Sequence, residues 1–444
     1  MPIERDAAWR LIASRAFAGL VRRALAPVDI AFLAALRVGF GAVLFASTLR
    51  FVAKGWVTTL LVAPQLHFTY AAAPFVRPLP APLMLALFGL LALAALGIAI
   101  GYRYRLCAWS FFLGFTYVEL IEKATYLNHY YFVSVLTLLL ALLPASNAAS
   151  LDARLGRVAR CDTVPAWVQW ALRLQIGVVY FFAGVAKLNA DWLWRAQPLK
   201  IWLAARSGLP LVGVLLEEPA VAYAASWAGA AFDLSIVWWL LNRRTRALAF
   251  AALVVFHAVT GLLLPIGMFP FLMVVGATVF FDAGWARRWL PGRPSQPASA
   301  TPRPAVQLAV AFHVAVQVAI PIRQHLASSA WTLQGFDWAW NVMIAEKAGY
   351  ARFAATDKRT GESFVVEPSR YLAPFQERAM TQDPSLIAQF ARLAAREIAH
   401  REGRDVEIRA EAWATLNGRA SQLLVDPRVD LASPRAARFV LDAP

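Results

Sequence analysis

Charge is what this sequence has least of. Only 16% of its 444 residues are Asp, Glu, Lys or Arg, against about 25% in a soluble globular domain. Acidic residues are the scarcer sign, 27 against 43 basic ones, leaving a net charge of +16. The Arg residues fall mostly in short loops between apolar runs. That pattern reads as topological charge bias at a membrane rather than as a nucleic-acid surface. There are two cysteines, Cys107 and Cys161; both sit beside Arg-rich loops expected in the cytoplasm, which argues against a structural disulfide. The six histidines are scattered, none forms a His-x-x-x-His pair, and no metal site is expected. No P-loop, dinucleotide fingerprint or nucleophile elbow occurs, which argues against an ATP-driven or nicotinamide enzyme. No cleavable signal peptide is present either, because Arg10, Arg15, Arg22 and Arg23 interrupt the apolar core it would need.

Hydrophobic residues are abundant instead, at 59%, with a mean hydropathy of +0.53. They are concentrated in runs of roughly 18–22 residues, the length that crosses a bilayer as a helix. About nine spans are expected on that criterion. They centre on Ala35–Phe51, Leu83–Gly101, Leu106–Leu120, Tyr131–Leu143, Trp167–Lys187, Ala220–Leu241, Ala247–Leu264, Ile266–Phe281 and Val306–Ile320. The eighth is short enough to be tilted or partly re-entrant. The N-terminal Arg cluster, Arg103/Arg105, Arg154/Arg157/Arg160, Arg243/Arg244/Arg246 and Arg287/Arg288 then fall on alternate loops, all on one side. By the positive-inside rule that side is the cytoplasm, giving an N-in, C-out topology.

The domain organisation follows. Residues 1–27 read as a basic interfacial helix, with Trp9, Ile12, Phe17, Leu20 and Val21 on one face. Residues 28–290 form the transmembrane domain, 291–304 a Pro/Ser/Ala-rich cytoplasmic linker, 305–321 the last span, and 322–444 a small extracytoplasmic α+β domain. In that domain Phe336, Trp338, Trp340, Val342 and Ile344 alternate at strand period. Tyr350–Thr356 and Ser363–Val366 flank a hairpin turn at Asp357–Gly361. Asp383-Pro384 opens a helix whose apolar face carries Leu386, Ile387, Phe390, Leu393 and Ile398. Val406, Ile408 and Ala410 begin another strand, which ends at the Asn417-Gly418 turn.

Ionisable groups in or beside spans are costly and need a reason. Lys187 closes the fifth span at its outer end. It reads either as a lysine snorkelling beside the interfacial Trp192 or as one desolvated in a pocket, where it can act as a base. His129, in Asn128-His129-Tyr130, lies at the outer start of the fourth span. An aromatic belt accounts for it equally, but the topology brings it to the same membrane face as Lys187. His257 lies about two turns inside its helix, and a packed core histidine is as good a reading as a functional one. The mid-span Asp233 and Arg173 read as structural ion pairing or polar packing.

These stretches resemble a known family. Asn128-His129-Tyr130, the run from Val179-Tyr180-Phe181 through Gly184-Val185-Ala186-Lys187-Leu188-Asn189-Ala190-Asp191-Trp192, Phe232-Asp233-Leu234-Ser235, Phe256-His257, and Ile266-Gly267-Met268-Phe269-Pro270 are similar to the vitamin K-dependent γ-glutamyl carboxylases. The membrane part of that family is also called the HTTM domain. The similarity continues in order through Trp331-Thr332, Trp338 to Met343, Asp357 to Glu362 and Asp426-Pro427-Arg428-Val429-Asp430. It implies an enzyme that oxygenates vitamin K hydroquinone, a reduced naphthoquinone, to its epoxide. That oxidation drives carboxylation of glutamate in a protein or peptide substrate to γ-carboxyglutamate, with O2 and CO2 as co-substrates and no metal.

By the same resemblance Lys187 and His129 are catalytic, Lys187 as the base. Asn128, His257, Met268 and Phe269 would contact the quinol. The departures are Ala186, where the family often has a second lysine before Lys187, the apolar set Thr260-Gly261-Leu262, and His325, displaced by one place. The Ala- and Arg-rich composition suggests a bacterial inner-membrane protein. Two alternatives stay open: a quinol epoxidase without glutamate carboxylation, and a transporter or lipid-handling protein on the same scaffold. The absence of an internal repeat weighs against the transporter.

Overall fold

The computed structural model describes residues 18–290, 299–327, 329–433 and 439–441. Most of the expected interfacial helix and most of the linker lie outside these residues, although residues 18–25 are helical.

Every expected span has a helix. In chain order these are α1 (Ala31–Ala53), α2 (Ala81–Ile100), α3 (Tyr104–Ile121), α4 (Asn128–Leu142), α5 (Ala166–Ala186), α6 (Pro219–Leu241), α7 (Arg246–Leu263), α8 (Phe269–Ala277) and α9 (Pro304–Ala327). Six of them, α1, α2, α5, α6, α7 and α9, are long and apolar enough to cross a bilayer. Helix α8 is short and tightens into a 3₁₀ turn over Thr278–Phe280. Arg173, on α5, donates from Nε to the Val279 carbonyl at 3.0 Å and from Nη2 to those of Phe280 and Phe281. It thereby satisfies carbonyls at the end of the segment that have no intrahelical partner. Helix α9 runs past Pro321, so the expected domain boundary at 321 falls inside it.

The connecting loops gather at two ends. At one, strands β1 (Pro27–Asp29) and β2 (Thr163–Pro165) pair antiparallel. Arg287 binds Asp29 and Asp162 there, and Arg243 and Arg246 share Asp282. The buried Arg37 guanidinium donates to the carbonyls of Ile98, Ala99, Ala145 and Ala149. All the Arg-bearing loops named above, apart from the N-terminal cluster, belong to this end.

At the opposite end sits the α+β domain. Its sheet has the order β4–β3–β5–β6, all antiparallel, from β3 (Lys347–Asp357), β4 (Ser363–Val366), β5 (Val406–Leu416) and β6 (Gln422–Leu423). Helices α10 (Pro374–Met380) and α11 (Pro384–Glu402) accompany it. The apolar face of α11 packs Leu386, Ile387, Phe390 and Ile398 against Phe353, Ile408 and Ala410 of the sheet. The Asp383 side chain caps α11 by accepting from Ser385 N–H at 2.7 Å, with Pro384 in its first turn. Asp357 Oδ1 accepts from the amides of Arg359 and Thr360 and so fixes the β3–β4 turn. Asn417 and Gly418 both take positive φ, 51° and 78°. The β5–β6 ladder resumes only at Gln422, so the loop is wider than a two-residue hairpin.

One expected strand is absent. Residues 336–345 are irregular, with a turn at 337–340 and a bend at Met343, and with positive φ at Trp338, Trp340 and Met343. The alternation arises because this segment plugs the bundle: Trp338 stacks on Tyr70, while Trp340 is fully buried beside Tyr131 and Phe132.

The domain is fastened to the bundle by polar contacts. Asp191 receives a two-pronged ion pair from Arg419 at 2.6 and 2.7 Å, plus Asn417 Nδ2 at 2.9 Å. Glu122, fully buried, accepts from Gln376 and from the Phe68 and Ala124 amides. Lys123 pairs with Asp337 and Asp383. Trp202 donates to Glu346 at 2.6 Å.

Candidate functional site

Lys187 caps the C-terminus of α5. On that helix Tyr180, Ala183, Gly184 and Lys187 lie three, four and seven residues apart, on one face. Gly184 lets α6 come close: a Cβ there would stand 2.8 Å from Leu234 Cγ and 2.9 Å from its backbone N. One turn further on, this approach delivers Lys187 Nζ to Asp233, at 2.8 Å. Both side chains are buried, with 6% and 7% of their surface exposed. The ammonium also donates to the carbonyls of Ala183 (3.1 Å) and Val342 (3.3 Å) and lies 5.1 Å from the centre of the Trp192 ring.

Lys187 therefore does not snorkel. Asp233 is fourteen residues beyond Pro219, where α6 starts, roughly 21 Å along the helix at 1.5 Å per residue. Trp192, expected at the interface, is buried and donates to the Ser226 carbonyl at 2.7 Å.

The pair forms part of the wall of a cavity of about 370 Å³ between α5, α6 and α7. Phe232, Phe256, Phe269, Trp202, Val342 and Met343 supply much of its apolar surface. A second polar pair enters it: His257 Nε2 lies 2.7 Å from the Tyr180 hydroxyl, while His257 Nδ1 has no hydrogen-bond partner among the described residues. His257 is thus a buried histidine with one ring nitrogen tied to the core and the other free.

His129 lies elsewhere. It borders a second chamber, of about 550 Å³, between α1, α2, α3 and α4, together with Met268. The turn from Leu264 to Phe269 is the partition between the chambers. Leu264, Ile266 and Phe269 face the Lys187 side, and Pro265, Gly267 and Met268 the His129 side. The Phe269 ring stands between the two histidines, 6.1 Å from His129 and 5.9 Å from His257. Gly267, at φ 57°, has the His129 ring 3.9 Å from where a Cβ would be. Asn128 faces neither chamber: it accepts from Tyr126 and donates to the Asn341 carbonyl at 3.2 Å.

Of the six residues singled out in the sequence, the structure brings Lys187, His257 and Phe269 around one cavity. His129 and Met268 face the other, and Asn128 holds the plug segment that also supplies the Val342 carbonyl to Lys187. Asp233, read from the sequence as structural ion pairing or polar packing, is indeed ion-paired, and its partner is Lys187; Tyr180 is a neighbour to which the sequence assigned no role. The signal for Asp233 was present: one acid and one base, each costly inside a span, are cheapest when paired. On the far side of the Ala186–Leu188 turn lies a polar groove of about 560 Å³, where Asn189, Asp191, His325, Asn341 and Arg419 line the seam with the α+β domain.

Fold and site together define a multi-pass membrane protein whose bundle holds an apolar chamber with a buried lysine–carboxylate pair, beneath an α+β domain. Comparison with known families agrees over nearly the whole chain: the HTTM domain matches residues 25–285, and the lumenal domain of vitamin K-dependent gamma-carboxylase matches 302–441. The chain belongs to the vitamin K-dependent gamma-carboxylase family. No solved structure matches it.

Proposed function

We propose that this chain oxygenates vitamin K hydroquinone, a reduced naphthoquinone, to its epoxide and couples the oxidation to carboxylation of peptide glutamate. The reaction balances with quinol, O2, CO2 and glutamate consumed, and epoxide, water and γ-carboxyglutamate formed. The observation that carries this reading is Lys187, buried against Asp233 in the wall of an apolar chamber inside the bundle.

The chamber fits a fused aromatic ring bearing two hydroxyls. Its aromatic and aliphatic walls suit the ring, its volume falls in the usual range for small-molecule sites, and its polar groups form two separate pairs. Lys187–Asp233 would take up the proton of one hydroxyl, because Nζ and the carboxylate are already in contact and can share it. The Tyr180–His257 pair, which also lines the chamber, would hold the other. The quinol supplies the oxidisable carbon framework; the protein supplies position and dryness, since a base strong enough for a carbon acid is protonated at once in water. Phe232, Phe269 and Met343 would hold the ring. His129 and Met268, across the partition, would act through the Leu264–Phe269 turn, and Asn128 through the plug.

The same reading sets the protein in the membrane. All nine helices would cross, with the Arg-rich end in the cytoplasm by the positive-inside rule and the α+β domain on the extracytoplasmic side of a bacterial inner membrane. A glutamate-bearing peptide would approach from that domain, along the groove behind Lys187.

The test is direct. The purified protein in lipid nanodiscs is supplied with vitamin K hydroquinone, O2, labelled CO2 and a glutamate peptide. Epoxide and labelled peptide formed in step support the proposal. Epoxide without label would identify an epoxidase that does not carboxylate, and neither product would overturn the assignment.

A further inference from the structure

The connection between α5 and α6 carries an apolar stretch that no span accounts for. From Ser207 to Leu216 it has no ionisable residue; Arg206 precedes it and Glu217-Glu218 follow. Leu211 is fully exposed, and Val214 and Leu215 are 76% and 56% exposed. The stretch folds back on itself: Gly213 N–H donates to the Leu209 carbonyl at 2.9 Å, and a Cβ at Gly213 would collide with the Ser207 carbonyl. The amides of Leu209, Val212, Leu215 and Leu216 also donate to carbonyls within the stretch or to that of Arg206, and Pro210 has no amide to satisfy. Water can meet the free amides of a soluble loop, whereas a segment in hydrocarbon must satisfy its own.

The helices on either side set its depth. Helix α6 has 23 residues, about 34 Å at 1.5 Å per residue, and Arg243, Arg244 and Arg246 follow its inner end. With about 30 Å of hydrocarbon to cross, the outer boundary falls in the first turn of α6, directly after Glu218. Arg206 stands at the matching end of α7, where its Nε donates at 2.8 Å to the carbonyl of Leu263, the last residue of that helix.

We propose that residues 209–216 are a membrane-seated strap whose partner is the acyl region of the outer leaflet, and that the bilayer thereby holds the roof of the Lys187 chamber in place. Leu216 packs with Ala222 of α6, so the outward Leu211, Val214 and Leu215 extend the exposed apolar surface of that span. Arg206 and Glu217-Glu218 bracket the strap at the level of the headgroups, as charged residues bracket an interfacial segment. Inward, Leu216 packs with Leu199 and Leu203 of the short helix Leu199–Ala204. Leu199, Trp202 and Leu203 line the Lys187 chamber. Lipid contact on one side of the strap is therefore joined to chamber wall on the other.

The experiment uses the full chain in nanodiscs of phosphatidylethanolamine and phosphatidylglycerol. A nitroxide is placed at Leu211→Cys, with Cys107→Ala and Cys161→Ala, and its collisions with O2 and with a water-soluble nickel chelate are compared. Collisions at Leu211 should favour O2, as at Val255→Cys on the exposed face of α7. Arg359→Cys, in the exposed β3–β4 turn, should favour nickel. Collisions at Leu211 that favour nickel would overturn the proposal, and so would dipolar broadening between labels, which would show a second copy of the chain on the strap. The second measurement is hydrogen exchange in Leu211→Asp/Val214→Asp, which should lift the strap out of the leaflet. Exchange should speed up several-fold in residues 199–206 and stay unchanged in β3; unchanged exchange in residues 199–206 would overturn the link to the chamber roof. The nitroxide measurement stands by itself if the double variant fails to fold. Neither readout needs turnover, so failure here leaves the epoxidation reading untouched, and the reverse also holds.

Discussion

Asp233→Ala should be among the most damaging single changes in the bundle. It would leave the Lys187 ammonium with only the Ala183 and Val342 carbonyls and the Trp192 face. Removing one member of a buried ion pair costs about 3–5 kcal/mol, because the other charge is left uncompensated in a poor solvent. Lys187→Ala should cost a similar amount for the mirror reason. The two losses should not add, since each single variant already forfeits the same contact. The double variant Lys187→Met/Asp233→Asn nearly keeps the volume and removes both charges, so it should recover most of the stability while remaining inactive. The assay is the rate of thermal unfolding in detergent, appropriate where refolding is not reversible. Additive losses in the double variant would refute the claim that the pair is a single electrostatic unit.

Other consequences follow at the seam between the domains. Burial raises the Glu122 carboxyl to about 7, although the Ala124 amide, Gln376 and the Phe68 amide oppose the shift. A carboxyl raised in the folded state destabilises as it ionises, so stability should fall as pH rises from about 4 to 7, by on the order of 3 kcal/mol. Glu122→Gln should flatten that slope; an unchanged pH profile of unfolding would contradict it. Asp191 behaves oppositely: burial would raise it, but the hydrogen bonds from Arg419 and Asn417 hold it below the usual carboxylate range. Its contribution is present above about pH 4 and is lost only as pH falls through the lowered value. Arg419→Ala should accordingly speed proteolysis at the seam at neutral pH, and equal cleavage rates in both proteins would argue against that role. Gly184→Leu should separate α5 from α6 and abolish activity, whereas Gly89→Ala, inside α2 with open space around it, should leave activity unchanged.

How far the sequence could be read depended on which physical signal was involved. Helix positions were legible, because apolar length is a one-dimensional property, and so were the Asp383 cap and the Asp357 turn, which are local chemistry. The strand assigned to residues 336–344 failed because alternating burial also arises when an irregular plug sends successive tryptophans to different partners, here Tyr70 and Tyr131. His129 and Lys187 were correctly assigned to the same end of the bundle. Sequence gives depth along a helix more readily than the direction a side chain faces, so their separation into two chambers became visible only with the partition turn in place. The Lys187–Asp233 pairing was hidden for a related reason: it joins two helices through a glycine contact, and neither charge names its partner.

The most direct test of the central claim is quinol epoxidation by Lys187→Ala beside the wild-type protein, with membrane insertion and folding confirmed for both. The account predicts that the variant loses epoxidation, and with it labelled CO2 fixation. Epoxide formed at the wild-type rate by a folded Lys187→Ala protein would contradict it.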